Sequence, residues 1–133
     1  MRLLLDTHIF LVLLDQRVAG LPDRVKQLLS DSGHAHLLSA ASLWEIAIKW
    51  RLGKLRLAVD LGALPGLLDS IGIRVLPVDR LHALAAVEPE PLTRDPFDRM
   101  LLAQCRIERL RLVTIDRALT SHPLAATGPV PPG

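Results

Sequence analysis

Residues 3–11, LLLDTHIFL, are a short apolar run that stops at one carboxylate, Asp6, and resumes as a second apolar stretch. Continuous apolar runs of this length, without alternation, fit a strand buried on both faces, as in a parallel sheet. The stretch from Thr7 to about Asp15, with Ile9, Leu11, Val12 and Leu13 apolar, then reads as a helix. A strand leading directly into a helix, with an acid at the junction, is the unit from which an α/β fold is built. The same stretch does not read as a secretory leader. Asp6 and His8 interrupt it, no small-residue cleavage site follows, and it is too short to span a membrane.

The pattern repeats downstream. Pro22 opens a helix through about residue 30, residues 36–39 form a second strand, and Ser42 is the expected N-cap of a helix over 43–52 that Gly53 ends. A helix over 61–70 precedes a third strand at 73–78, and Asp79 caps a short helix through about residue 86. A polar loop at 88–94 leads to a long helix over 96–109, a fourth strand at 110–115 and a last helix begun by Asp116. Alternating strands and helices predict a parallel sheet covered by helices on both faces. Residues 1–122 read as one domain, and residues 123–133, rich in Pro and Gly, as a tail with room for one edge strand near Val130.

Composition narrows the function classes. The 133 residues are half hydrophobic yet only 3% aromatic, so the core must be aliphatic. One cysteine, Cys105, permits no internal disulfide, which fits a reducing compartment such as the cytoplasm. The net charge of +2 argues only weakly for an anionic partner, although Lys49, Arg51, Lys54 and Arg56 cluster within eight positions. A solvated helix end explains that cluster unless it lies beside a site that handles nucleic acid.

The acids carry more. Asp6 follows the first strand and Asp116 the fourth, and ligands gather outside the carboxyl ends of strands in such sheets. Thr114, two residues before Asp116, points to a similar side. Capping competes with this reading, because Asp6, Asp79, Asp95 and Asp116 all stand where helices begin. Asp95-Pro96-Phe97-Asp98 even resembles a capping box. Glu45 is harder to dismiss: its helix is apolar on nearly every side, and a buried unpaired carboxylate costs several kcal/mol. An i,i+4 pair with Lys49 is the ordinary alternative. Asp98 lies in a first helical turn, where the dipole favours a carboxylate kept ionised.

Converging carboxylates repel and call for a cation, and Mg²⁺ and Mn²⁺ prefer hard oxygen ligands. Such an ion can polarise a phosphodiester and activate water for in-line attack, with no nucleophilic side chain. Other chemistries fit less well. The histidines form no zinc-like set in the sequence, Cys105 reads as a core residue, and neither GxxxxGK[ST], GxGxxG nor a serine elbow occurs.

Four segments in order, LLLDTHIFL (3–11), SLWEIAIKWRLGKL (42–55), RDPFDRMLLAQ (94–104) and LVTID (112–116), resemble the PIN-domain family, and within it the VapC-type toxins of bacterial toxin–antitoxin pairs. The resemblance spans about residues 2–119. It implies a three-layer α/β/α sandwich with a central parallel sheet of four or five strands. It places the family's acids on Asp6, Glu45, Asp98 and Asp116, with Thr7 and Thr114 supporting the acids or metal-bound water. It implies Mg²⁺ or Mn²⁺, endonucleolytic cleavage of RNA, a homodimer and a cognate antitoxin. Lys49, Arg51, Lys54 and Arg99 are the candidates for phosphate contacts. Two other readings stay open: a related nuclease acting on structured RNA or DNA, and a non-catalytic binding module.

Overall fold

The computed structural model describes residues 1–127. Strand β1 (Arg2–Leu5) pairs in parallel with β2 (Ala35–Ser39) on one side and with β4 (Arg111–Val113) on the other. Strand β3 (Arg74–Leu76) extends β2, giving the order β3-β2-β1-β4. The chain therefore steps outward through β1, β2 and β3, then returns to the far side of β1. The order reverses between β1 and β4, and the crevice at their carboxyl ends is where an open α/β sheet binds its ligands.

Strand alternation divides the core. Leu3, Leu5, Leu38 and Val113 face one side, where α1 (Thr7–Leu14), α2 (Asp23–Ser30) and α4 (Leu64–Ile71) bring Phe10, Leu28 and Leu68. Leu4, Leu37 and Leu112 face the other, against Leu101, Leu102 and Cys105 of α6 (Pro96–Glu108) and Leu119 of α7 (Arg117–Thr120). With α3 (Ala40–Arg51) and α5 (Arg80–Leu84), seven α-helices flank a four-stranded parallel sheet among the described residues, the expected three-layer α/β/α arrangement. Each fully buried Leu contributes about 1.5–3 kcal/mol relative to exposure, so the aliphatic core suffices without cross-links. No helix among the described residues is long and apolar enough to cross a membrane.

Several local expectations change. The N-cap of α3 is Ser39, not Ser42: its hydroxyl accepts the Ala41 N–H at 3.0 Å, because the turn begins at the last strand residue. Nor is α3 buried all round, since Trp44 is 63% exposed and Trp50 and Leu52 also face solvent. The third strand is shorter than 73–78 and stops at Leu76, where Pro77 has no N–H to donate to a ladder. Helix 61–70 divides into a 3-10 turn, Leu61–Ala63, and α4, which Gly72 closes at φ +76°. Beyond β4 the sheet continues as one parallel bridge between Leu112 and Ala125, with Leu112 donating to Leu124 O and accepting from Ala126 N. An edge strand near Val130 lies outside the described residues.

Candidate active site

Each of the candidate acids arrives on a different segment. Asp6 follows β1, Glu45 projects from the middle of α3, Asp98 stands in the first turn of α6, and Asp116 precedes α7. All of them line one cleft of about 400 Å³. Thr7, His8, Lys49 and Asp95 share its walls.

Asp6 occupies the N-cap position of α1, yet its side chain makes no capping bond. Instead the buried Thr114 hydroxyl donates to Asp6 Oδ2 at 2.7 Å. Thr114 Oγ1 also accepts the Asp116 N–H at 3.1 Å, so one threonine fixes both strand-end acids. The Thr7 hydroxyl does not go to the acids: it donates to Ser42 Oγ at 2.8 Å, tying α1 to α3. That bond explains why Ser42, freed from capping, is buried.

Capping and a place in the cleft wall coincide elsewhere. Asp116 Oδ1 accepts the Ala118 N–H at 2.9 Å and Asp95 Oδ1 accepts the Phe97 N–H at 2.9 Å. A cap uses one carboxylate oxygen and orients the other, so the two roles do not exclude each other. The expected reciprocal box is absent at Asp98. Thr93 donates to Asp98 Oδ2 at 2.9 Å and accepts the Asp95 N–H at 3.1 Å, making the threonine the brace for both aspartates.

The electrostatics are those of a site short of positive charge. Burial pushes the Asp6 carboxyl up, the Thr114 hydrogen bond opposes this, and the charges of Asp116 and Glu45 push it further up. Asp98 rises to about 6, first through desolvation, against the Thr93 hydrogen bond, with Asp95, Asp6 and Asp116 adding repulsion. Among the described residues, Lys49 is the one lysine or arginine lining the cleft. Its ammonium donates to Glu45 Oε2 at 2.7 Å, and that bond holds its pKa above the usual lysine value. One ammonium does not neutralise five carboxylates (Asp6, Glu45, Asp95, Asp98 and Asp116). An all-oxygen, net-negative donor set fits Mg²⁺ or Mn²⁺ and would serve soft metals poorly.

The other basic candidates do not join. Arg99 pairs with Glu90, and neither Arg51 nor Lys54 lines the cleft. Sequence reasoning passed over two cleft residues, His8 and Asp95. The signal for His8 was its place two residues after Asp6, at the exposed start of α1. Asp95 reads from the sequence as a cap, and the structure adds the cleft wall to that role.

One expectation about histidine is overturned. His82 meets Asp79 and Glu108, with possible ligand atoms within 4.8 Å of one another, so a histidine–acid group does form. Its bonding is already complete. His82 Nδ1 accepts the Asp79 N–H at 3.0 Å within a capping box, and Nε2 donates to Glu108 at 3.0 Å. An apolar groove of about 620 Å³ lies beside the acid cleft, walled by Trp44, Val78, Phe97 and Met100, and carries no ionisable group.

A crevice at the strand ends of an α/β/α sandwich, walled by carboxylates with too few cations, defines a class: proteins that hold divalent metal against a phosphate-bearing substrate. The chain belongs to the PIN-domain family, whose model matches residues 3–123. PIN domains are generally nucleases that act on nucleic acids with divalent metal ions. No curated protein matches the chain.

Proposed function

We propose that this protein is a divalent-metal-dependent endoribonuclease, the toxin of a toxin–antitoxin pair. The observation that carries the nuclease reading is convergence: Asp6, Glu45, Asp98 and Asp116, spread over most of the sequence, line one cleft at the point where strand order reverses. In this reading those four are the metal ligands and catalytic acids, with Thr114 holding Asp6 in place and Thr7 bracing α1 against α3. A bound Mg²⁺ or Mn²⁺ would polarise the scissile phosphodiester and lower the pKa of the attacking water. The protein's own part is to fix the acids in register and admit the chain of the substrate from the open side of the cleft.

RNA as substrate and the toxin role rest on the resemblance of the four quoted segments to VapC-type proteins. The apolar groove beside the cleft, with Trp44 exposed and stacked edge-on against Phe97 at 5.8 Å between ring centroids, supports protein partners, a second copy or an antitoxin. The experiment is metal-dependent cleavage by purified protein, assayed in parallel on mRNA, tRNA, duplex DNA and flap DNA, with Asp6→Asn and Asp98→Asn as controls. Cleavage of RNA alone, lost in both variants, is expected. Preferential cutting of DNA flaps would replace the endoribonuclease with a structure-selective nuclease. Undiminished activity in both variants would trace the cleavage to another source.

A further inference from the structure

Lys49 is unusual in its surroundings. It is the one lysine or arginine among five acids in the cleft, and it is bonded to one of the candidate metal ligands, Glu45. The two partners of the pair differ sharply: the Glu45 side chain is 8% exposed and the Lys49 side chain 50%. Glu45 is held by the packing of α3 between α1 and α6, with Ile46 beside it fully buried. Lys49 hangs on a four-carbon stem with half its surface in water. When the pair separates, the lysine moves and the glutamate stays.

We propose that Lys49 is a tethered counter-cation: it occupies Glu45 while the acid cleft holds no divalent ion, gives Glu45 up when an ion enters, and then turns its ammonium to a phosphate of the substrate. This inference rests on the nuclease reading above and adds to it a competition built into one helix turn. An ammonium hydrogen-bonded to Oε2 and a divalent cation seeking the same carboxylate repel each other, in a half-buried setting where screening is weaker than in water. The lysine therefore stabilises the empty site and lowers its affinity for metal. Once displaced it remains at the rim, because i,i+4 spacing on α3 limits how far it can go. A compact, mobile ammonium there is suited to meeting a phosphate as a point charge. Arg99, by contrast, is already paired with Glu90.

Opposite signs on two ligands distinguish this role from a structural one. Lys49→Met in the full chain is expected to bind Mn²⁺ about tenfold more tightly by calorimetric titration with MnCl₂ alone. At saturating Mn²⁺ it should cleave RNA with an unchanged kcat and a KM raised several-fold. Its log(kcat/KM) should fall less steeply with log[salt], by about one phosphate contact. Lys49→Arg should keep the shallow metal affinity and most of the low KM. Unchanged or weaker Mn²⁺ binding in Lys49→Met, with a native melting temperature, overturns the inference. Tighter metal binding with no change in KM overturns the phosphate half and with it the hand-over. If the unaltered protein takes up no Mn²⁺ at all, the nuclease reading fails and takes this inference with it; uptake that ignores Lys49 sinks this inference alone.

Discussion

Two acidic groups in this molecule look alike by composition and differ in their bonding. Asp79, His82 and Glu108 bring possible ligand atoms within 4.8 Å and have the tighter appearance of a metal site. Yet His82 gives one nitrogen to a helix cap and the other to Glu108, so the group ties α5 to α6 and asks for nothing more. The cleft group is looser, and its charges are not settled: Asp6 and Asp98 are both pushed up from the ordinary carboxylate value, first by burial and further by neighbouring carboxylates. A site is recognised less by which residues are near than by which of their needs remain unmet.

The largest effect should separate the two groups in activity. Asp6→Asn, Glu45→Gln, Asp98→Asn and Asp116→Asn are each expected to lower metal-dependent cleavage by on the order of a hundredfold or more, since even removing a partner of a metal ligand commonly costs ~10–100-fold. Glu108→Gln should leave kcat within about twofold. Cleavage rates at fixed Mn²⁺ measure both, and a large loss in Glu108→Gln would transfer the chemistry to α5 and α6.

Metal-induced stability sharpens the same contrast at a smaller scale. At a metal concentration of about 100 Kd, binding should add ~2.7 kcal/mol, a rise of roughly 8–13 °C for a domain of this size. Thermal melts with and without MnCl₂ should show that gain in the unaltered protein and in His82→Ala, and a much smaller gain in Glu45→Gln. A gain lost in His82→Ala and kept in Glu45→Gln would invert the comparison.

Without metal the ranking reverses. Asp79→Ala removes an N-cap that accepts from both Leu81 and His82, and should cost about 1 kcal/mol. Asp116→Ala loses only one capping bond, to Ala118, and relieves repulsion on Asp6 and Asp98, so its net cost should be smaller. Urea denaturation in EDTA compares them. Equal losses would mean that the cleft acids do not strain the empty fold.

Most of the fold is written in local patterns. Leu3 to Leu5 read as a buried strand because no polar residue interrupts them, and Pro96 after Asp95 announced a helix start that the structure keeps. What local pattern could not carry was which serine caps α3, since Ser39 and Ser42 both precede apolar runs and only the end of β2 decides between them. The sides of α3 were hidden for a related reason: a helix apolar on nearly every side looks buried, whereas Trp44 is left in the open by a groove that three distant segments build. The acids were legible as four separate candidates at helix starts and within α3. Their meeting, the Thr114 and Thr93 braces, and the place of His8 and Asp95 in the cleft depend on contacts across up to 108 residues of chain, which no spacing rule reports.

The smallest effect concerns pH. Folded Asp98 takes up its proton near 6, against 3.8 for the ordinary carboxyl group. Between those values the folded state binds more protons than the unfolded chain, so this group's contribution to stability is complete below about pH 4 and fades as pH rises through about 6. Asp98 is only half buried, and solvent screening should hold the effect to less than about 1 kcal/mol. Urea melts in EDTA at pH 4.5 and 7 should therefore show a decline in the unaltered protein that Asp98→Asn, which cannot titrate, largely removes. Asp6 is shifted the same way and will leave a residue of that decline. Saturating Mn²⁺ should reverse the slope, because the ion binds the ionised carboxylates and makes proton uptake costly for the folded state. The structural group around His82 has no reason to respond to the ion, so a reversal that survives Asp98→Asn unchanged would show that the metal is read elsewhere.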